Sequence, residues 1–315
     1  MNEADARWLA AAAALAERAR PLSRPNPAVG AILVKDGLVV GRGWTRSGGR
    51  PHAEAEALAQ AGDEARGATA YVTLEPCAHR SERGPACAGL LADAGLTRVV
   101  VGVADPDSRT AGVGIGQLRT AGIEVAQAED PACRASLAGY LTRARFGRPF
   151  VTLKLALTAD GFVARPDGSS QWITGEAARA HAHRERARSD AILVGGGTMR
   201  SDAPRLDVRL AGLEARSPRR LVLTSGAAPE GWEALRDPQA IHALGDAQYL
   251  MVEGGARVAQ AFLAAGLVDR MLLYRAPVTF GEGIAAFPEG LPPGWSCVDR
   301  RVLGNDTLEI LEPVG

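Results

Sequence analysis

The sequence predicts an α/β protein built from two domains, and three observations lead there. Its 315 residues suit two ordinary domains rather than one. Short apolar runs alternate with segments of helical period along the chain, the pattern of helices packed on a mostly mixed sheet. Gly147-Arg148-Pro149 interrupts that pattern, so one domain is expected over 1–147 and a second over 148–315. With 46% of residues hydrophobic and 23% charged, the chain can bury a full core. The 36 basic and 36 acidic residues cancel, which argues against a nucleic-acid partner held by a global basic field. No run approaches the ~20 apolar residues of a membrane span. The alanines at 10–14 have acidic neighbours, unlike the core of a signal peptide. Four cysteines, two of them in a metal-like motif, suit a reducing compartment. The expectation is a cytoplasmic enzyme for a small molecule, with neither nucleic acid nor membrane as partner.

Taken in order, Trp8, Ala12, Leu15 and Ala19 recur at helical spacing and predict a helix over 3–20, ended before Pro21. Pro25-Asn26-Pro27 cannot be helical and leads into a strand over 28–34, a turn at Lys35-Asp36-Gly37 and a return strand over 38–43. Asn26 is stiffly held between prolines and suits either a turn or a contact to a base edge. An Ala-rich helix follows His52, then a strand over 70–74, a helix from Cys87 to Ala94, a strand over 98–104, a helix over 114–121 and a strand over 124–126. Residues 133–146 read as a helical connector. Beyond it come strands over 150–157 and 162–164, a helix over 176–187, and strands over 191–194, 221–223 and 249–252.

Chemistry concentrates in His52-Ala53-Glu54, Pro76-Cys77 and Cys87. One imidazole and two thiols are the ligand set that zinc prefers when a fourth position stays open for water. Glu54 follows the histidine at the spacing of the general acid/base in zinc-dependent nucleobase deaminases, which is not itself a ligand. Nine residues separate Cys77 from Cys87, so their loop must return to the metal and wall the site. Glu75 reads as structural, His79 as either pocket wall or ligand contact, and Cys133 and Cys297 as buried small side chains. In the second half, Lys154 interrupts an apolar strand, which is costly unless it faces a cleft or a partner. Strands run into Gly195-Gly196-Gly197-Thr198, Thr224-Ser225 and Glu253-Gly254-Gly255, each expected to open a helix. Three such turns suit a dinucleotide along one sheet edge or, equally simply, ordinary strand-to-helix connections.

These residues resemble a family. Asn26 with Val29-Gly30, His52-Ala53-Glu54 and Thr73-Leu74-Glu75-Pro76-Cys77-Ala78-His79 look like the deaminase half of the bifunctional riboflavin-biosynthesis deaminase/reductases. Lys154, Asp160-Gly161, Ser170-Gln171-Trp172-Ile173-Thr174, Thr198 with Asp202, Leu206 with Arg209, and Glu253-Gly254-Gly255 look like its reductase half. The resemblance implies a cytidine-deaminase-like three-layer α/β/α domain followed by a dihydrofolate-reductase-like α/β domain, with zinc and NADPH as cofactors. It implies hydrolytic deamination of a diaminopyrimidinone ribosylamino phosphate, then reduction of the ribosyl group to ribityl. Asn26, His79, Asp105, Ser170, Arg186, Leu206, Arg209 and Glu253 would contact substrate, and Lys154 would act in reduction. Ala156, Trp172, Thr198, Asp202, Ser225, Gly254 and Gly255 would line the cofactor site. Homo-oligomers are usual in the family.

The chain departs from the family pattern at Thr45, Asp107, Phe162 and Ala203. The Cys77–Cys87 loop is longer than usual and the segment over 226–248 is short. A second reading therefore keeps the deaminase alone, with the C-terminal half as a substrate-binding or dimerisation module.

Overall fold

The computed structural model describes residues 2–79, 84–170 and 172–314; residues 80–83 of the Cys77–Cys87 loop and Gln171 lie outside the described residues. The chain divides into two compact units, Met1–Gly147 and Arg148–Gly315.

The first unit opens with α1 (Glu3–Ala16), whose start is fixed by a capping box between Asn2 and Asp5. Strands β1 (Gly30–Lys35) and β2 (Leu38–Trp44) form a hairpin. Its turn needs two left-handed residues, and Asp36 (φ 51°) and Gly37 (φ 78°) supply them. Then follow α2 (Ala53–Ala61), β3 (Thr69–Val72), α3 (Cys87–Asp93), β4 (Arg98–Val101), α4 (Val113–Thr120), β5 (Glu124–Gln127), α5 (Pro131–Ser136) and α6 (Ala138–Phe146). The sheet order is β2-β1-β3-β4-β5, antiparallel on both sides of β1 and parallel beyond β3.

Two glycines place the helices on opposite faces. A Cβ at Gly30 would lie 2.0 Å from the Ala12 carbonyl of α1, and one at Gly43 would lie 2.3 Å from the Ala53 carbonyl of α2. Gly43 is paired with Ala31, the neighbour of Gly30, so the two faces differ. The sheet is thus sandwiched between helical layers, with Leu33, Val72, Val99 and Val101 in the core.

In the second unit β6 (Phe150–Leu157) leads to β7 (Phe162–Ala164), α7 (Glu176–Arg186), β8 (Ala191–Gly195), α8 (Gly196–Asp202), β9 (Arg219–Leu223) and β10 (Glu233–Leu235). Next come β11 (Tyr249–Val252), α9 (Ala256–Ala264), β12 (Arg270–Arg275), β13 (Ile284–Ala285), β14 (Trp295–Leu303) and β15 (Asp306–Pro313). Eight strands form one sheet in the order β10-β9-β8-β11-β6-β12-β15-β14, and β13 pairs with β7. Strands from β10 to β12 are parallel; β15 and β14 are antiparallel additions. Along β6, Val151, Leu153, Leu155 and Leu157 are buried in the main core, while Thr152, Lys154 and Ala156 alternate to the other face. Among the described residues no helix is long and apolar enough to cross a membrane.

Three element expectations are corrected. The first helix ends at Ala16 rather than near residue 20, because Arg18 and Ala19 close i→i+3 turns onto Leu15 and Ala16 ahead of Pro21. The connector over 133–146 is two helices, broken at Leu137. The turn after β9 opens no helix: Pro229 and Gly231 (φ 71°) carry the chain directly into β10. Cys133 is buried as expected, but Cys297 is exposed on β14.

Candidate active sites

In the first unit, β3, the turn after it and the N-termini of α2 and α3 bring three ligands together. His52 is the N-cap of α2, and Cys87 is the first residue of α3. His52 Nδ1 lies 3.4 Å from Cys87 Sγ and 3.6 Å from Cys77 Sγ. All three ligand atoms fall within 4.8 Å of one another. Tetrahedral zinc, with Zn–S near ~2.3 Å and Zn–N near ~2.0 Å, separates such ligands by about 3.5 Å, so the donor set fits the ion. The Cys87 N–H donates to Cys77 Sγ at 3.3 Å. Hydrogen bonding from Cys87, aided by His52, overcomes burial and brings the Cys77 thiol down to about 4, while Cys77 and burial push Cys87 well up. The pair therefore holds one thiolate readily before any cation neutralises the second. Glu54, in the first turn of α2, is 3% exposed. Burial raises its carboxyl above the usual range, as a proton carrier near neutrality requires.

Of the expected substrate residues of this unit, Asn26 and Asp105 are already engaged by protein groups. Asn26 Nδ2 donates to the Gly49 carbonyl at 3.1 Å and lies 3.3 Å from His52 Nε2. Gly49 has φ 83°, and a Cβ there would lie 2.5 Å from Asn26 Cγ, so the contact requires glycine. Thr45 accepts the Val29 N–H at 3.0 Å, anchoring the strand that follows Asn26. Glu75 is structural: it accepts the Gly112 and Ile115 N–H groups at 3.1 and 3.2 Å at the start of α4. His79 has a buried Nδ1 without a hydrogen-bond partner among the described residues. Asp105 accepts the Tyr140 hydroxyl at 2.7 Å and the Asp107 N–H at 3.0 Å, and burial raises its carboxyl. Tyr140, on α6, carries no motif that would have singled it out.

In the second unit a cavity of about 570 Å³ opens where β6, β8 and β11 end beside α7 and α8. Lys154, Ala156, Ser170, Trp172, Thr198 and Asp202 line it, as do Arg186, Leu206, Arg209, Glu253, Gly254 and Gly255. Ser225 is not among the lining residues; it is exposed just beyond β9. The register β6–β11 pairs Leu153 with Val252, which sets Lys154 beside Glu253 at 3.7 Å. Arg186 grips the same carboxylate through Nε at 2.6 Å and Nη2 at 2.9 Å, and its Nη1 donates to the Asp207 carbonyl at 3.1 Å. Burial opposes the charge on Glu253, but Arg186 and Lys154 outweigh it and hold the carboxyl at about 2.

The fork of Arg186, which the resemblance assigns to substrate, is filled here by Glu253. Arg209 is half exposed and reaches His183 Nε2 at 3.3 Å, with only a loose 3.9 Å pairing to Asp207. Behind Lys154, Arg184 donates to His181 Nε2 at 2.6 Å, so Nδ1–H faces the Tyr274 hydroxyl at 2.8 Å. Lys154 Nζ stands 5.8 Å from the Tyr274 ring centroid. Gly195 and Gly254 both abut Val258: a Cβ would lie 2.6 and 2.4 Å from its side chain. The missing side chains let α9 pack closely on these two turns, and the cavity's size suits an extended cofactor.

Comparisons with known proteins agree with both halves. The profile of the cytidine and deoxycytidylate deaminase zinc-binding region matches residues 2–103, and that of the RibD C-terminal domain matches residues 149–308. The riboflavin biosynthesis protein RibD of Escherichia coli (strain K12) is 37% identical over 90% of this chain and 91% of its own. RibD of Aquifex aeolicus is likewise 37% identical, covering 90% of each. Among solved structures, Acinetobacter baumannii RibD superposes with a TM-score of 0.88 at 34% identity over 99% of both chains. A Thermotoga maritima diaminohydroxyphosphoribosylaminopyrimidine deaminase/5-amino-6-(5-phosphoribosylamino)uracil reductase gives 0.88 at 30% identity over 98% of both.

Proposed function

The chain belongs to the RibD family of riboflavin-biosynthesis deaminase/reductases, and from that premise we infer that its two activities divide at the Gly147–Arg148 junction. It is a bifunctional enzyme, a zinc-dependent deaminase joined to an NADPH-dependent reductase. The observation that carries the deaminase assignment is the His52–Cys77–Cys87 cluster with buried Glu54 at its side. Bound zinc supplies Lewis acidity toward a water. Glu54 takes the proton of the attacking water and passes it to the ring nitrogen, then to the departing amine. Asn26 and His79 hold the pyrimidine edge; the buried His79 Nδ1, without a hydrogen-bond partner among the described residues, supports a ligand contact there. Asp105, stiffened by Tyr140, closes the same pocket.

In the second unit NADPH supplies hydride to C1′ of the sugar. Lys154 faces the cavity with its charge balanced by Glu253, and it orients the sugar and donates a proton to its oxygen. Ser170 and Arg209 meet the phosphate, while Arg186 keeps Glu253 charged and fixed. Trp172, Thr198, Asp202 and the Gly254-Gly255 turn bound the cofactor. The substrate is 2,5-diamino-6-ribosylamino-4(3H)-pyrimidinone 5′-phosphate and the product its ribitylamino uracil counterpart, as the Thermotoga relative's two activities support.

One assay tests the whole reading: ammonia release and NADPH absorbance followed together on that substrate, with and without a zinc chelator. Ammonia release followed by NADPH consumption, both lost on chelation, is expected. Ammonia without oxidation of NADPH or NADH would leave the second unit a binding module.

A further inference from the structure

We propose that Tyr274 is a positioning residue of the reductase: its ring, locked from behind by His181, holds the Lys154 ammonium on the side away from Glu253. The inference rests on the reading of Lys154 as the group that meets the sugar, and it adds what aims that group. Strand β6 lies between β11 and β12, so Lys154 has a neighbouring strand on each side. Glu253 follows β11, and Tyr274 lies on β12. The register pairs Leu272 with Lys154 and Tyr274 with Ala156, which puts all four on one face of the sheet. Lys154 Nζ then stands 5.8 Å from the Tyr274 ring centroid, within the ~6 Å at which a ring face attracts a cation.

The opposite wall is looser. Glu253 Oε2 is 3.7 Å from Lys154 Nζ, beyond hydrogen-bond length, while both its oxygens are gripped by Arg186 at 2.6 and 2.9 Å. A carboxylate so engaged balances the ammonium's charge without fixing its direction. A ring face draws the ammonium without taking any of its three N–H donors, which stay available for the sugar oxygen. The ring itself is firmly held. It is buried with Ala178 and Ala182 of α7, Leu272 and Leu308. Burial lowers the His181 imidazole and keeps it neutral. Arg184 on Nε2 fixes the imidazole proton on Nδ1, 2.8 Å from the Tyr274 hydroxyl. Burial, joined by Glu185 and Glu253, pushes the phenol well up, so the ring meets the ammonium uncharged. One helix therefore supplies both clamps, His181 for the ring and Arg186 for the carboxylate.

The test is steady-state NADPH oxidation by the full chain on deaminated substrate, comparing wild type with Tyr274→Phe and with the same substitution carrying one, two or three ring fluorines. Fluorine drains the negative ring face while leaving shape and packing nearly unchanged, so each variant should fold. Tyr274→Phe is expected to stay within about twofold of wild type, and kcat to fall stepwise with fluorination to about fivefold at three fluorines. KM for substrate and for NADPH should stay within about twofold, and ammonia release should not change. A kcat indifferent to fluorination, a change confined to KM, or a large loss already in Tyr274→Phe would overturn the positioning role. Lys154→Ala, run alongside, separates the two readings. If it slows oxidation while the fluorine series stays flat, only the role of Tyr274 falls; if it leaves oxidation intact, the reading of Lys154 falls and this inference with it.

Discussion

Replacing Glu253 by Gln tests the electrostatic design of the second unit. Its carboxylate sits between Arg186 and Lys154, with side chains 8%, 13% and 19% exposed. Gln fills nearly the same volume but leaves two buried cations without a counter-charge, a loss of about 3–5 kcal/mol. Linkage gives an independent figure. The carboxyl falls from an ordinary 4.5 to about 2 on folding. That difference contributes about 3 kcal/mol of stability, present in full above the unfolded value and lost as the pH falls toward the folded one. The two routes agree. In a domain of this size the variant's melting temperature should fall by roughly 6–12 °C at neutral pH. Thermal unfolding of wild type and variant across pH 2–7, followed by fluorescence, reads the difference. Wild-type stability should decline relative to the variant between about pH 5 and pH 2, so that the gap narrows as the carboxyl protonates. A gap that stays constant with pH, or one below about 1 kcal/mol throughout, would refute the claim that ionised Glu253 organises the two cations. Ammonia release should be unchanged in either case.

Glu54→Gln should retain stoichiometric zinc by atomic absorption yet lower ammonia release by about 10²-fold or more, with reduction of already deaminated substrate intact; retained deamination would reassign the proton carrier. Lys154→Ala should spare ammonia release and slow NADPH oxidation, and equal loss of both activities would contradict the division between units. Tyr140→Phe removes the 2.7 Å hydrogen bond to Asp105. It should raise KM for deamination by roughly fivefold, the equivalent of about 1 kcal/mol, with kcat nearly unchanged; a fall confined to kcat would place Asp105 in the chemical step instead.

Much of this protein was legible in its residues because the chemistry is local. His52 and Glu54 share one helix start, and Cys87 begins another. Zinc ligation demands those atom types at those short spacings, so the motif carries the site with it. Strand alternation along β6, with Leu153, Leu155 and Leu157 buried around Lys154, was readable for the same reason, since side-chain direction has period two. The Asp36-Gly37 turn likewise follows from the backbone needs of a hairpin.

What only the tertiary structure decided are the long-range pairings. Arg186 and Glu253 are 67 residues apart, and Asp105 and Tyr140 35 apart; nothing local links either pair. The register of β6 on β11 decides that Lys154 lies beside Glu253, and α7 then brings Arg186 onto the same carboxylate. A single arginine in so arginine-rich a chain reads most simply as a solvated surface charge, and the actual partner of Arg186 emerges only when the sheet assembles. Composition and short motifs specify which groups are present and what each can do. Which charge meets which is set by strand order and register, and these depend on burial across the whole sheet rather than on any one segment.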